Sequence, residues 1–213
     1  YAVFSFWNRM YDAVKKKHKV KETRFFGSMY PVQIFNYEGM RIAFRCLPMG
    51  ASMAGTALEE MFALGCEYAI FSGGVGVLTP SIEKGELIVP TKALRDEGTS
   101  YHYEKPSRYS YPSELILRCI EKTLKANDIT YHEGGTWTTD APYRETSRKV
   151  KACYKEGCIA VDMEASALFS IAKFRKRHVG AIFRAGDCVG GEKWEPRYTK
   201  KGAGKENARA ALI

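Results

Sequence analysis

Two periods of apolar residues alternate along the chain and predict helices separated by strands. Apolar positions three and four residues apart are typical of helices that bury one face, whereas short apolar runs between turn residues are typical of strands. The helical pattern covers residues 10–19, 51–64, 113–126, 145–154 and 163–177. The strand pattern covers residues 1–7, 40–47, 68–72, 86–94 with an interruption at Pro90, 130–139, 159–161 and 179–185.

This alternation favours a mostly parallel or mixed sheet covered by helices on both faces. The chain contains no linker-like stretch, internal repeat or low-complexity segment. We therefore predict a single three-layer α/β domain over residues 1–213, with a hairpin over residues 31–47 that turns at Glu38-Gly39. Residues 96–110 are polar and rich in tyrosine, and they predict a long loop that serves as a lid or a subunit contact.

Composition excludes several classes of protein. The longest apolar runs are shorter than the ~18 residues that a membrane span needs, and the first residues do not form a signal peptide, so we expect no membrane partner. The six cysteines show no Cys-x-x-Cys spacing. They therefore predict neither a metal site nor a disulfide framework, and a cytoplasmic location follows. Both ends resemble truncated core elements, so we expect a longer native chain.

The net charge of +9 is concentrated in three basic runs, Lys15–Lys19, Lys173–His178 and Lys200-Lys201. Each run flanks an apolar stretch, as a solvated helix face does. Nucleic-acid binding requires aromatic residues interleaved with a basic groove, and the sequence has no such module, so we predict no nucleic-acid partner. A positive field instead suits a small anionic substrate such as phosphate.

The stretch Val161–Phe169 carries the strongest candidate for chemistry, the carboxylate of Glu164. The apolar run Cys158–Val161 predicts the end of a buried strand. Asp162 stands at the position of a helix N-cap, and Glu164 falls in the first helical turn. One interpretation is that Glu164 only stabilises the helix. The other is that a carboxylate at a strand-to-helix junction lies at the ligand edge of an α/β sheet and accepts two hydrogen bonds from a vicinal diol.

Three further segments agree with this stretch in order and spacing. Met49-Gly50 follows a strand and opens a helix, Ser72–Gly76 follows the next strand, and Trp137–Thr146 precedes a helix. Together with Val-Asp-Met-Glu-Ala-x-Ala at residues 161–167, they resemble the nucleoside phosphorylase family, which includes uridine phosphorylase and hexameric purine nucleoside phosphorylase. The resemblance covers nearly the whole chain, from Arg9 to Arg197.

The resemblance implies a ribose site in which Glu164 binds the 2′ and 3′ hydroxyls, while Met163 and Met49 form an apolar floor under the sugar. Methionines more often fill a core than touch a substrate. Their places at motif positions on strand ends nevertheless favour contact with the sugar.

The resemblance also implies a base pocket in residues 137–148, with Pro142 and Tyr143 where the family stacks an aromatic ring on the base. Arg148 matches an arginine that contacts uracil in the uridine branch, although Thr146 replaces the glutamine of that branch. Arg148 is equally well explained as a charge on an exposed helix.

Asp187 follows the last predicted strand and is the candidate general acid. In the purine branch, an aspartate at this place protonates the base nitrogen as the bond to ribose breaks. Arg197 is the nearest candidate for the arginine that assists it, at a spacing unlike that of the family. A simpler interpretation is that Asp187 turns the loop beside Gly186. Asp187 thus favours a purine and Arg148 a pyrimidine, and the sequence leaves the base open.

The phosphate site departs most from the family pattern. The loop Ser5–Arg9 keeps only the arginine of the family's Gly-Asp-Pro-x-Arg, and the arginine that a neighbouring subunit supplies aligns with Ser28, although Arg24 is close. Phe71 and Gly74 stand where the family has an arginine and a hydroxyl residue.

Three features can still bind phosphate. Arg9 remains, the backbone N–H groups of Gly73 and Gly74 can face an anion, and Arg45 on the preceding strand can compensate for the missing charge.

Three functions follow. The first is phosphate-dependent cleavage of a purine or pyrimidine ribonucleoside to free base and ribose 1-phosphate. The second is hydrolysis, as in the nucleosidase branch of the same fold, with Glu22, Glu97 or Glu145 as the additional base. The third is nucleoside binding without turnover. We expect no metal or organic cofactor, with inorganic phosphate as co-substrate, and a homo-oligomer built from dimers, up to a hexamer, with sites at the subunit interface.

The first prediction concerns Glu164→Ala. Loss of a charge-assisted contact to the reacting sugar should lower kcat/KM by several kcal/mol in transition-state stabilisation, as measured by steady-state kinetics. A change smaller than about threefold, roughly 0.7 kcal/mol, would remove Glu164 from the site.

Overall fold

The computed structural model describes residues 1–24 and 31–197, and its strands all belong to one mixed sheet. Ser28 and the pair Lys200-Lys201 lie outside the described residues. The strands are β1 (Ala2–Ser5), β2 (Lys21–Thr23), β3 (Val32–Tyr37), β4 (Met40–Cys46), β5 (Tyr68–Val77), β6 (Leu87–Asp96), β7 (Tyr109–Ser110), β8 (Tyr131–Thr139), β9 (Cys158–Asp162) and β10 (His178–Cys188).

The helices cover both faces of this sheet, as predicted. Within the described residues, no helix combines the length and apolarity that crossing a bilayer requires. The helices are α1 (Asn8–Lys17), α2 (Ala51–Ala63), α3 (Glu114–Ala126), α4 (Ser147–Lys155) and α5 (Ala165–Phe174), with short 3-10 helices at Thr99–His102 and Pro142–Arg144.

Five strands close into a ring in the order β5, β9, β8, β6 and β10. Closure occurs because β10 pairs with β5 in parallel and with β6 antiparallel, while β1, β4, β3 and β2 extend from β5 as an open wing. On the ring, Gly76 of β5 pairs with Val161 of β9, and Val75 pairs with Ala185 of β10. The ring therefore brings the end of β5, the end of β9 and the end of β10 to one place.

Helix α5 lies at the centre of the core, because it is buried on all sides and carries only small or apolar residues over 165–172. Residues 165–172 are all buried, which distinguishes α5 from a surface helix with one apolar stripe. Helix α2 packs against α5, and Gly55 permits the close approach, since a Cβ at this position would lie 2.8 Å from Cδ1 of Ile171. This packing aligns the beginnings of the two helices.

Local turn chemistry determines the hairpin of β3 and β4, and this prediction is confirmed. Glu38 and Gly39 both have positive φ angles, 47° and 79°, as a two-residue turn with the right-handed twist of a hairpin requires. The predicted break at Pro90 is wrong, because β6 continues through it with an irregularity between Pro90 and Lys92 that places the missing N–H outside the ladder.

The predicted long loop after β6 is tied down by one buried side chain. Arg95 is 3% exposed, and its guanidinium donates to Ser100 Oγ (2.8 Å), the carbonyl oxygen of Lys105 (2.8 Å) and Ser107 Oγ (2.7 Å). Its guanidinium also lies 4.2 Å from the ring centre of Tyr101. The segment is therefore anchored rather than open like a lid.

Arg95→Leu should lower the free energy of unfolding by about 3 kcal/mol or more, because the buried acceptors of the loop would lose their donor. Arg118→Leu is the matched control. Arg118 pairs with Glu114 one turn away on the exposed face of α3, so its loss should cost less than about 1 kcal/mol. Urea denaturation of both variants measures the difference, and equal losses would contradict the anchoring role.

Candidate functional site

The Glu164 carboxylate lies buried where the N-terminal ends of α2 and α5 meet. Oε1 accepts a hydrogen bond of 2.6 Å from the N–H of Gly50, the residue before α2, and Oε2 accepts one of 3.3 Å from the N–H of Met163. The residue is 7% exposed. Glu164 and the Met49-Gly50 segment, which the sequence singled out separately, thus come together.

Glu164 is the N-cap residue of α5, not a first-turn residue as predicted. Its backbone has φ −138° and ψ −32°, and the helix begins at Ala165. The helix begins after Glu164 because Asp162 Oδ1 accepts hydrogen bonds from the N–H groups of Glu164 (3.0 Å) and Ala165 (3.2 Å). Asp162 is therefore both the last residue of β9 and the residue whose side chain caps α5.

Burial places the ionisation of this acidic pair near neutral pH. Burial, with a smaller contribution from the charge of Asp162, raises the pKa of Glu164 to about 7, against the hydrogen bonds from Gly50 and Met163. Burial also raises the pKa of Asp162 to about 6, opposed by its hydrogen bonds. A carboxylate that titrates near pH 7 can both accept hydrogen bonds from a ligand and respond to pH.

The two predicted methionines adjoin this carboxylate. Met49 is exposed and precedes the Gly50 donor, and the half-buried Met163 supplies the other donor. An exposed methionine next to a buried carboxylate is available for contact with a ligand, so the structure does not use Met49 as core filler.

Asp187 lies inside β10, not beyond the strand as predicted. It falls at an irregularity between Ala185 and Cys188 in the pairing with β5. Gly76 makes room for Val161, because a Cβ there would lie 2.8 Å from Cγ1 of Val161, and the Asp187 carboxylate lies at the same place, 3.5 Å from that Cβ position. Since Val161 is three residues before Glu164, Asp187 and Glu164 belong to the same corner of the ring.

Two neighbours of Asp187 shape its chemistry. The indole N–H of Trp194 donates to Asp187 Oδ2 at 2.6 Å, a contact that the sequence did not indicate. The segment that returns Trp194 to Asp187 begins at Gly190, where a Cβ would overlap the carbonyl oxygen of Leu78 at 1.9 Å. Burial raises the pKa of Glu145 to about 7, and the charge of Asp187 contributes, so two carboxyl groups share this corner.

Arg197 does not assist Asp187 as predicted. Its Nη1 donates to the carbonyl oxygen of Ile82 at 2.7 Å, and its Nε lies 3.4 Å from Glu195 Oε2. Trp194 takes the hydrogen bond on Asp187 that Arg197 was expected to make.

The predicted base-binding residues lie at the exposed side of the site. Tyr143 is fully exposed, and Pro142 and Arg148 are exposed as well. Pro142 and Tyr143 form a 3-10 turn, and Arg148 is the second residue of α4, which is capped at Thr146. Glu145, in the same segment, lies close enough to Asp187 for the charge of Asp187 to raise its pKa.

The expected phosphate residues are only partly brought together. The glycine segment does not form a loop, because Gly73 and Gly74 continue β5 and pair with Phe183 and Arg184 of β10. Arg45 is 5% exposed under α2, where it donates to the carbonyl oxygen of Ala57 (3.1 Å) and pairs with Glu60 (2.6 Å). Its role as a substitute phosphate ligand stays a prediction, and the guanidinium is engaged under α2 in this structure.

A second arginine, which the sequence did not single out, lies near Arg9. Arg184 is opposite Gly74 in the pairing of β5 with β10, and a Cβ on Gly74 would lie 4.0 Å from the indole nitrogen of Trp7. Burial lowers the pKa of Arg184, and the charge of Arg9 contributes to the shift. The Arg184 guanidinium lies against Gly85, where a Cβ would be 2.9 Å from its Nη2, and Arg9 is close enough for its charge to act on it.

Among residues 1–24 and 31–197, no group of three or more His, Cys, Asp or Glu side chains is arranged to hold a metal ion. All six cysteines are free thiols, and five of them are buried.

A family model described as the phosphorylase superfamily matches residues 2–212. The chain is 29% identical over 153 residues to guanosine phosphorylase of Halorubrum lacusprofundi and 34% identical over 170 residues to uridine phosphorylase of Thermococcus kodakarensis. Each alignment covers 72% of this chain, but only 64% and 60% of the two relatives. The chain therefore spans less than two thirds of the length of these curated relatives.

Solved structures share the fold. Uridine phosphorylase from Vibrio fischeri superposes with a TM-score of 0.79 at 28% identity, over 87% of this chain and 78% of that one. The 5′-methylthioadenosine/S-adenosyl homocysteine nucleosidase of Campylobacter jejuni has a TM-score of 0.82 over 99% of this chain and 93% of that one. Its identity is 13%, so it shows the fold alone.

Glu164→Gln should change stability in a pH-dependent way. In an unfolded chain a glutamate ionises near pH 4.3, whereas Glu164 ionises at about 7 in the folded protein. The folded state therefore holds more protons between these values, and stability falls as pH rises through this window. Gln avoids burying the charge, so the variant should be more stable than the wild type at pH 8 by on the order of 1–3 kcal/mol.

Urea denaturation at pH 5 and pH 8 measures this difference, which should nearly vanish at pH 5. Glu83→Gln, at an exposed site, is the control and should show no such dependence on pH. A Glu164→Gln variant with the same stability relative to wild type at both pH values would contradict the burial of a charge at this position.

Proposed function

Because the chain belongs to the phosphorylase superfamily, we propose that it cleaves a ribonucleoside with inorganic phosphate, releasing the free base and ribose 1-phosphate. The observation that carries the proposal is the buried Glu164 carboxylate, held by two backbone N–H groups at the junction of α2 and α5. A carboxylate offers about four acceptor positions, so about two remain for the hydroxyls of a ribose.

In this proposal, ribose binding favours the ionised form of Glu164, and the ionised form binds ribose more tightly. Hydrogen bonds donated by the 2′ and 3′ hydroxyls favour the charged form of the carboxylate, whose pKa is about 7 without them. The sugar rests against Met49 and Met163. As C1′ acquires positive character, the ionised carboxylate stabilises the transition state more than the ground state.

Asp187 supplies the proton for the departing base. Trp194 holds Oδ2 of its carboxyl group, and the neighbouring Glu145, whose pKa is raised to about 7 by burial and by the charge of Asp187, can carry a proton at neutral pH. Protonation of a purine ring nitrogen neutralises the leaving group as the glycosidic bond breaks. A purine is favoured over uracil because Arg148 lies exposed on α4, whereas Asp187 is in the corner with Glu164.

Phosphate binds beside the end of β5. Arg9 and Arg184 supply charge-assisted hydrogen bonds, which are among the stronger kinds. The indole N–H of Trp7, near Gly74, is a further donor. Arg24 is exposed at the end of a described range, and assembly into a homo-oligomer that adds an arginine from a neighbouring subunit stays a prediction, as does a cytoplasmic location.

Hydrolysis is the second candidate function, favoured by the position of Phe71. Its ring is buried 5.9 Å from Phe169 and 5.7 Å from Phe183, where the phosphorylase pattern has an arginine. Glu145 then serves as the base that activates water. The two other predicted bases are engaged elsewhere, since Glu22 accepts from Tyr11 and Lys15, and Glu97 from Ser100 and Ser166.

A panel of guanosine, inosine, adenosine and uridine, each incubated with and without phosphate, tests the proposal. We expect base release that depends on phosphate and is faster for the purine nucleosides. Arg9→Gln and Arg184→Gln should each raise the KM for phosphate about tenfold, because each loses one charge-assisted contact, with a smaller effect on the KM for nucleoside. Arg118→Gln on the exposed face of α3 is the control.

Each result separates one function from the others. Base release at equal rates with and without phosphate would establish the hydrolase instead. Binding of nucleosides without any base release would leave a non-catalytic binding protein.

A further inference from the structure

Three N–H groups at the start of α5 are satisfied by side chains from the sheet. Asp162 Oδ1 accepts from the N–H groups of Glu164 (3.0 Å) and Ala165 (3.2 Å), and Thr138 Oγ1 accepts from the N–H of Ser166 (3.0 Å). The first N–H groups of a helix lack partners within the helix, and the N-cap side chain usually accepts one of them. Here the N-cap residue is Glu164, and its side chain makes no such bond.

The Asp162 carboxylate is itself held from β8. The hydroxyl of Thr136 donates to Asp162 Oδ2 at 3.1 Å, and Thr138 also contributes a side-chain hydrogen bond. All three side chains are buried. Both oxygens of Asp162 are therefore bonded, and the carboxylate has a defined position on the ring.

We propose that Asp162 is the positioning residue of the site: it caps α5 in place of Glu164 and so leaves the Glu164 carboxylate to face Gly50 and the ligand. The inference rests on the proposed role of Glu164 in binding the ribose diol. An N-cap glutamate that had to satisfy its own helix would turn back toward the N–H groups of Ser166 or Ala167. With Ser166 already bonded to Thr138 and the preceding N–H groups to Asp162, Glu164 reaches a donor 114 residues away in the chain.

The charge of Asp162 has a second consequence. The groups that face Glu164 are the carboxylates of Asp162 on β9 and Asp140 after β8, together with the N–H groups of Gly50 at the start of α2 and of Met163. The two carboxylates raise the pKa of Glu164, and the two donors lower it. Removing the charge of Asp162 should therefore lower the pKa of Glu164, so that the acid limb of the kcat/KM profile moves to lower pH.

Asp162→Ala tests the positioning role, because it removes both the acceptor of the cap bonds and the charge, with affinity for a ribonucleoside and for its 2′,3′-dideoxy analogue measured by calorimetry. The wild type should bind the ribonucleoside more tightly, because only that ligand offers the diol. In Asp162→Ala this preference should fall about tenfold, since misplacing the carboxylate weakens only the diol contact. The acid limb of kcat/KM should move to lower pH in the same variant.

A purely structural role would reduce the melting temperature and weaken both ligands alike. Thr136→Val is the milder second variant, because it removes one hydrogen bond to Asp162 and keeps the charge. It should reduce the preference for the ribonucleoside in the same direction without moving the acid limb downward. Ser110→Ala, which removes a buried bond to the Ser166 carbonyl on the other side of α5, is the control and should keep the preference.

The outcomes distinguish this inference from the proposed function. A wild type that binds both ligands equally overturns the role of Glu164 and the inference with it. A wild type that prefers the ribonucleoside, with an unchanged preference in Asp162→Ala, overturns the inference alone. If Asp162→Ala does not fold, Thr136→Val is the deciding variant, and an unchanged preference in that variant overturns the inference.

Discussion

The hydrogen bond between the Glu164 carboxylate and the N–H of Gly50 is the contact on which the rest of the site depends. It joins the starts of two helices that are 114 residues apart in the chain. It also places the carboxylate beside Met49 and close to the end of β5, where the positive N-terminal ends of α2 and α5 favour a negative charge. The close packing of α2 on α5 at Gly55 and Ile171 makes this geometry possible.

The same contact explains why acidic groups accumulate inside a basic protein. The chain carries a net charge of +9, yet Asp162, Glu164, Glu145 and Asp187 lie in one corner of the ring. Burial raises the pKa of three of these groups into the range from about 6 to about 7. A carboxyl group with a raised pKa lowers the free energy of unfolding at neutral pH, because the unfolded chain ionises more readily. The same raised pKa suits the group to accept and donate protons near pH 7.

Sequence reasoning located the most important residues and misjudged several of their partners. Glu164 and Asp187 were found because each follows an apolar strand at the edge of an α/β sheet, and Met49 because it precedes a clear helix start. Arg45 was assigned to phosphate and Arg197 to assisting Asp187, but the structure pairs Arg45 with Glu60, and Arg197 with the Ile82 carbonyl and Glu195. The long side chain of an arginine can reach many acceptors, and the neighbouring residues in the sequence do not determine which acceptor it contacts.

By itself the sequence determined the order of the helices and of most strands, the hairpin at Glu38-Gly39 and candidate residues for binding a sugar and moving a proton, because periodicity and turn chemistry act over a few residues. It did not indicate the short strands β2 and β7. Only the tertiary structure decided that β10 closes the ring, that the Glu164 carboxylate accepts from the N–H of Gly50, and that Trp194 holds Asp187. These features depend on contacts between residues far apart in the chain and on burial, which sets the pKa of each carboxyl group. Neither can be read from neighbouring residues alone.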